Sequence, residues 1–289
     1  MTIAAATYCA CDATQAEAHL PGAVLSVAGG PAGHIAVSAG ATLYCLQLRP
    51  GADAPAALAS LERVASVRLR HCVTGLAWDG ATLVACDSHD GAHTLLFDAT
   101  LSRPLELLAS ERSERRAAGI ACTHGCAGGI DRDGFFFSFS TAAPAADEDS
   151  PAEAHCLPVT ACFRLGCVPT SIRTAASGDA AAFTASTLLG GVAVVSPLDA
   201  EHFAVLADAE ARAATHPLTA PLLGCDHAAA RGGPPASRRV LDGDLLRQLL
   251  FLPAAAQREV LSHGLAEQLT DEEVSRQLDD IEAATRLTC

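Results

Sequence analysis

From Ala23 onward the chain runs in short apolar stretches separated by glycine, and the stretches alternate rather than recur at helical spacing. Residues 23–27 end at Gly29-Gly30; residues 34–37 follow, then a turn at Gly40, then residues 42–46. Residues 64–69, 73–78 and 82–86 continue the series, the last two joined through Asp79-Gly80. Alternate side chains on a strand face opposite sides of the sheet, and tight turns take Asp and Gly, so this pattern predicts antiparallel hairpins. Two more are predicted: residues 127–130 with 135–139 around Arg132-Asp133-Gly134, and 182–187 with 192–195 around Gly190-Gly191. Gly40-Ala41-Thr42-Leu43 recurs 40 residues later as Gly80-Ala81-Thr82-Leu83, each copy a turn entering a strand. A period of that size in short strands predicts propeller blades of four strands each. The Trp78-Asp79 dipeptide adds nothing to this, because it enters a turn and lacks the Gly-His partner of a WD repeat.

The pattern changes towards the C-terminus. Residues 199–215 predict a helix with Phe203, Leu206 and Ala207 on one face, ended by Pro217 and Pro221. Arg231-Gly232-Gly233-Pro234-Pro235 reads as a linker. At Val240-Leu241-Asp242-Gly243-Asp244-Leu245-Leu246 the apolar residues take up helical spacing. Asp242 is placed to cap a helix, accepting from the free N–H groups two or three residues on. Asp244 then falls in the first turn, where the helix dipole favours negative charge. Gly243 would permit a backbone geometry or close approach that a Cβ forbids. The first of these helices is predicted over residues 244–252. A second has Pro253 in its first turn and ends near Gly264. A third is opened by the capping box Thr270-x-x-Glu273 and carries the stripe Val274, Leu278, Ile281.

The organisation expected is therefore mainly β. An irregular segment occupies residues 1–20. A partial β-propeller of about four or five blades fills residues 21–235, and a small α-helical domain fills residues 236–289. Residues 141–154 contain Asp147, Glu148, Asp149 and Glu153 without Arg, and read as an acidic mobile loop.

Composition narrows the function. The formal net charge is −14, and the chain has no lysine, every basic side chain being Arg. Duplex binding rests largely on phosphate neutralisation, so direct duplex nucleic-acid binding is not expected. Lysine Schiff-base and P-loop chemistry are excluded. No apolar run reaches the roughly 18 residues that span a bilayer. Residues 1–15 lack the basic and apolar regions of a signal peptide. The twelve cysteines are expected to be reduced and to act mainly as small core residues.

Candidate chemistry is sparse. In Cys122-Thr123-His124-Gly125-Cys126 the spacing is Cys-x-x-x-Cys with no matching second pair, although Cys156, Cys162 and Cys167 follow. Asp131 and Asp133 sit in a predicted turn, where Asp is a turn former first. Arg112, Arg115 and Arg116, interleaved with Glu111 and Glu114, read as a mixed exposed surface. No nucleophile elbow or dinucleotide fingerprint is present. No catalytic, cofactor-binding or metal residue is expected, and no cofactor.

The segment 240–246, followed by helices ending in Leu278-Asp279-Asp280-Ile281, resembles the C-terminus of the cleavage-and-polyadenylation-factor A-subunit family. Three further stretches are similar to the splicing-factor-3b branch of that family: Ala127-Gly128-Gly129-Ile130-Asp131-Arg132-Asp133-Gly134, Leu189-Gly190-Gly191-Val192-Ala193-Val194, and Pro221-Leu222-Leu223-Gly224-Cys225-Asp226-His227 with Arg231. The markers of the resemblance are thus Gly190, Gly191, Asp226, His227, Asp242, Gly243 and Asp244. It implies the last part of a triple β-propeller with its helical tail. It further implies a nuclear, non-catalytic scaffold of the spliceosome acting at branch-site recognition. The implied partners are the HEAT-repeat subunit and small subunits of splicing factor 3b. The tail also resembles the polyadenylation branch, so a scaffold of 3′-end processing or an adaptor of a cullin ubiquitin ligase stays open, as does a stand-alone propeller enzyme or ligand binder.

Overall fold

The glycine-bounded runs pair as antiparallel sheets, each strand hydrogen-bonded to its neighbour in sequence. The computed structural model describes residues 2–8, 13–49, 60–111, 113–142, 156–177, 180–219, 230–231, 239–263 and 269–285. Blade 1 is β3 (Val24–Gly29), β4 (His34–Ala39), β5 (Thr42–Arg49) and β6 (Ser60–Arg68). Blade 2 is β7 (Val73–Asp79), β8 (Thr82–Asp87), β9 (Ala92–Phe97) and β10 (Leu105–Ser110). Blade 3 is β11 (Ala117–Thr123), β12 (Cys126–Asp131), β13 (Phe135–Ser140) and β14 (Ala161–Arg164). Blade 4 is three-stranded: β15 (Pro169–Ser177), β16 (Ala180–Thr187) and β17 (Val192–Val195).

The first strands of successive blades lie side by side, β3 on β7, β7 on β11, β11 on β15. That is the arrangement of propeller blades about an axis. Among the described residues the series does not close from β15 back onto β3. The core is divided accordingly between blades. Leu43, Cys45, Leu76, Leu83 and Leu95 fill the space between blades 1 and 2. Cys86, Ala92, Ile120, Phe137 and Phe139 do so between blades 2 and 3, and Ile130, Phe136, Ile172 and Phe183 between blades 3 and 4. Phe136, Phe137 and Phe139 are fully buried, each contributing about 1.5–3 kcal/mol by removal from water.

Polar side chains also cross between blades, and the Trp-Asp pair is central to this. Trp78 donates its indole N–H to the Ala28 carbonyl of blade 1 at 3.2 Å. Asp79 accepts from the Gly125 N–H of blade 3 at 2.9 Å and from the Thr141 hydroxyl. Thr74 donates to the Ala117 carbonyl at 2.8 Å. The dipeptide set aside in the sequence thus ties blade 2 to both neighbours.

Two expectations are corrected. The first strands begin at Val24, Val73, Ala117 and Pro169, so the blade spacing is 49, 44 and 52 residues rather than 40. Gly40 joins the second and third strands of blade 1, whereas Gly80 joins the first and second of blade 2. The repeat records shared turn chemistry: both glycines have positive φ, 62° and 58°, which side chains disfavour. Residues 2–8 and 13–19 are not irregular, since β1 (Thr2–Tyr8) pairs with β2 (Ala13–His19) from Thr2↔His19 to Tyr8↔Ala13. Ladder hydrogen bonds are backbone groups, and the small Ala and Thr residues of this hairpin give little hydrophobic alternation to read.

The helices pack on one another. α1 (Ala200–Thr215) is capped by Asp199, which accepts from His202 N at 2.9 Å. It buries Leu206, Ala209 and Ala213, a stripe shifted from the predicted 203, 206, 207 face. α2 (Gly243–Gln248) runs into a 3₁₀ turn, Leu249–Phe251, ahead of α3 (Ala254–Leu261) and α4 (Asp271–Thr285). At the start of α4, Thr270 N donates to Glu273 Oε2 at 2.9 Å and Glu273 N donates back to Thr270 Oγ1 at 3.3 Å. Leu206, Leu245, Leu246, Leu249, Val260, Leu261, Val274 and Ile281 form the core of this helical unit. The acidic stretch from 143 onward and the Gly-Pro linker from 232 lie outside the described residues.

Candidate functional site

The junction between blades and helices is organised by Asp242, which is buried. Its Oδ1 accepts from Asp244 N at 3.0 Å and Leu245 N at 3.3 Å, satisfying the first free donors of α2. Its Oδ2 lies 2.9 Å from Arg231 Nε. Its own N–H donates to Glu210 Oε1 on α1 at 2.9 Å. Arg231 reaches on to blade 3, donating to the Arg164 carbonyl at 3.1 Å and lying 5.4 Å over the Phe163 ring. One carboxylate therefore caps α2 and, through Arg231, latches the helices to the edge of blade 3.

The other markers separate. Asp244 is exposed in the first turn of α2. Gly243 makes no close approach: an added Cβ would meet Thr285 Cγ2 at 3.6 Å, an ordinary contact. Gly190 and Gly191 form the exposed β16–β17 turn, where Thr187 N donates to the Gly191 carbonyl at 2.9 Å. They are far along the chain from Asp242 and share no contact with it among those described. Asp226 and His227 lie outside the described residues.

At the two ends of the blade series, the described residues leave parts of the sheet faces exposed. On blade 1, Leu25 is 50% exposed and Val27 52%. The outer part of the same face, Val37, Tyr44 and Leu46, is covered by Ala18 of β2 and by Leu20 just after it. On blade 4, Leu189 is 81% and Val192 66% exposed, and Leu188, Val194 and Leu198 are exposed as well. Val192 pairs with Ser186, and Val194 with Thr184 and so with Arg173. This face is thus apolar at its outer strand and polar towards β15. The opposite face of blade 4 places Ile172, Phe183 and Ala185 against blade 3.

The titratable groups between blades are structural in their geometry. Glu111 and Arg115 are not on an exposed surface. Arg115 Nε lies 3.0 Å from Glu111 Oε1 and its Nη1 3.0 Å from Asp131 Oδ2, all three side chains buried, with the guanidinium 4.4 Å over the Phe137 ring. Gly91 makes room, since a Cβ there would come within 2.3 Å of Glu111 Oε2. Alternating charge along the sequence looks solvated, and only the fold reveals that one member of each sign turns inward. Burial pushes the Glu111 carboxyl up, an effect Arg115 only partly offsets. Burial also pushes Asp87 up, but hydrogen bonds from His93, His89 N and Asp90 N outweigh it and hold the group below its ordinary value. Asp131 accepts from Asp133 N and Phe135 N, each at 2.9 Å, the turn role expected of it. Arg116 stays exposed, paired with Asp133.

Cys122 and Cys126 stand at neighbouring positions of the β11–β12 hairpin. Burial raises both thiols, Cys122 strongly, and it pushes Cys45 and Cys86 up to about 12. Thiols so disfavoured as thiolates are poor nucleophiles.

A series of antiparallel blades of three or four strands, innermost strand first, with a helical unit latched to one blade, defines a propeller-like fold. Residues 14–250 match the family described as the CPSF A subunit region, and the chain belongs to that family. No individual curated protein matches the chain.

Proposed function

We propose that this protein is a non-catalytic scaffold of nuclear RNA processing whose uncovered blade faces pack against other proteins. The observation that carries this reading is the pair of apolar sheet faces at the two ends of the blade series, Leu25 and Val27 on blade 1 and Leu189, Val192 and Val194 on blade 4. Exposed apolar patches on a sheet mark interaction surfaces. Membership of the CPSF A subunit region family favours the same role. Within it, the resemblance of residues 127–134, 189–194 and 240–246 supports the splicing-factor-3b branch. The partners are then the HEAT-repeat subunit and small subunits of that complex, and the process is branch-site recognition in the nucleus.

Affinity purification of the tagged chain from cells tests it. Recovery of splicing factor 3b subunits is the expected result. Recovery of polyadenylation subunits or of a cullin, without splicing factor 3b, would move the protein to another branch of the family, which the tail helices also resemble.

A further inference from the structure

We propose that His71, His89 and Asp90 form a surface binding site for a borderline divalent cation of the zinc class, at one rim of blade 2. His71 lies in the loop leading into β7, and His89 and Asp90 lie in the loop leaving β8. Val73 pairs with Asp87, so antiparallel register brings these loops to the same end of the blade although their histidines are 18 residues apart.

The ligand atoms converge. His71 Nε2 is 3.4 Å and His89 Nδ1 3.1 Å from Asp90 Oδ1, and all three ligand atoms lie within 4.8 Å of one another. Bonds of about 2.0–2.2 Å at tetrahedral angles place ligand atoms roughly 3.3–3.5 Å apart, which the two distances to Asp90 already approach, and side-chain rotation can bring the two imidazole nitrogens, within 4.8 Å of each other, onto the ion. The two imidazole rings lie side by side, centroids 4.6 Å apart and 30° inclined. Without an ion, one carboxylate oxygen serves two imidazoles; a divalent cation takes the place of both ring protons and draws the same three atoms together.

The frame beneath the site is fixed from several directions. Asp87 Oδ1 accepts from His89 N at 2.9 Å and Asp90 N at 2.6 Å, while its Oδ2 is held 3.0 Å from His93 Nε2. Ser88 N donates to the Cys72 carbonyl at 2.9 Å, joining the two loops, and Arg115 N donates to the His89 carbonyl at 2.7 Å. Asp87 and His93 thus act as positioning residues, and such outer partners orient ligands and raise affinity. Arg70 Nη1 stands 3.7 Å from Asp90 Oδ2, but its side chain is 83% exposed, and a pair that exposed yields at little cost. Three protein ligands on an accessible rim leave a fourth position for water or for a ligand from another molecule, as in open zinc sites.

Titration of the chelator-treated full chain with zinc, followed calorimetrically, tests the site. The parent protein is expected to take up one equivalent that His71→Asn/His89→Asn loses, with unchanged melting, while Cys122→Ala/Cys126→Ala retains it. Cobalt in place of zinc is expected to give visible d–d bands without a thiolate charge-transfer band. Equal zinc uptake by the His double variant, or a cobalt spectrum dominated by thiolate charge transfer, would overturn the proposal.

Discussion

Replacing Asp242 with Ala removes two interactions made with described residues, and their sizes follow from the geometry. Loss of the cap acceptor for Asp244 N and Leu245 N costs about 1 kcal/mol. Loss of the pairing with Arg231, whose side chain is 29% exposed, costs roughly 1 kcal/mol more, below the range for a fully buried pair. Asp242→Ala is therefore expected to destabilise the helical unit by about 2 kcal/mol. Asp242→Asn keeps an acceptor at the cap and should cost about half of that, and Arg231→Ala should cost a similar amount. The Glu210 contact uses the Asp242 backbone N–H, so it persists in every variant. Native-state hydrogen exchange of amides in α1–α4 reads the local opening free energy directly. A double-mutant cycle between positions 231 and 242 should give a coupling near 1 kcal/mol. Equal losses for Asp242→Ala and Asp242→Asn, with no coupling to Arg231, would refute both the cap and the latch.

Further outcomes follow from other contacts. Gly129→Ala should destabilise by roughly 1–3 kcal/mol in denaturant unfolding, because its Cβ would lie 2.2 Å from Cζ of the buried Phe137 ring. Asp87 has its folded-state value below the ordinary 3.8, so the stability it contributes is present above about pH 3.8 and lost as pH falls through the depressed value. Acid unfolding of Asp87→Asn should therefore show a flatter pH dependence below that point. Glu111 is shifted the opposite way, up from 4.5, so its contribution is fully present below pH 4.5 and lost as pH rises through the raised value. The acid limb of Glu111→Gln should lack that gain. Leu189→Asp with Val192→Asp should change stability by less than about 0.5 kcal/mol yet reduce partner recovery in affinity purification.

What the sequence revealed was chiefly its turn chemistry. Gly40, Gly80, Gly134 and Gly190 all adopt positive φ, and each stands where the residue pattern predicts a hairpin. The caps at Asp242 and Thr270 were likewise legible, because capping is a local arrangement of a few residues. Long-range consequences were not. The blade period was obscured because Gly40 and Gly80 are equivalent as turns but occupy different places in their blades. Arg115 and Glu111 looked solvated because nothing local announces that Gly91 leaves space for a buried carboxylate. The two imidazoles at Asp90 have no motif spacing, since the register of β7 on β8, rather than distance along the chain, brings them together. Arg231 reads as the start of a linker and as part of a resembling segment, and its contact with Asp242 depends on how the helices settle against blade 3.

The central claim is that the uncovered faces of blades 1 and 4 are where other proteins pack. Amine-directed cross-linking is of little use in a chain without lysine, so a photoreactive side chain introduced at Val27, at Val192 and, as a control, at the exposed Arg103 is the direct measurement. Irradiation in cells followed by mass spectrometry should yield cross-links from Val27 and Val192 to other proteins well above those from Arg103. Cross-linking from both faces no greater than from the control would contradict the account.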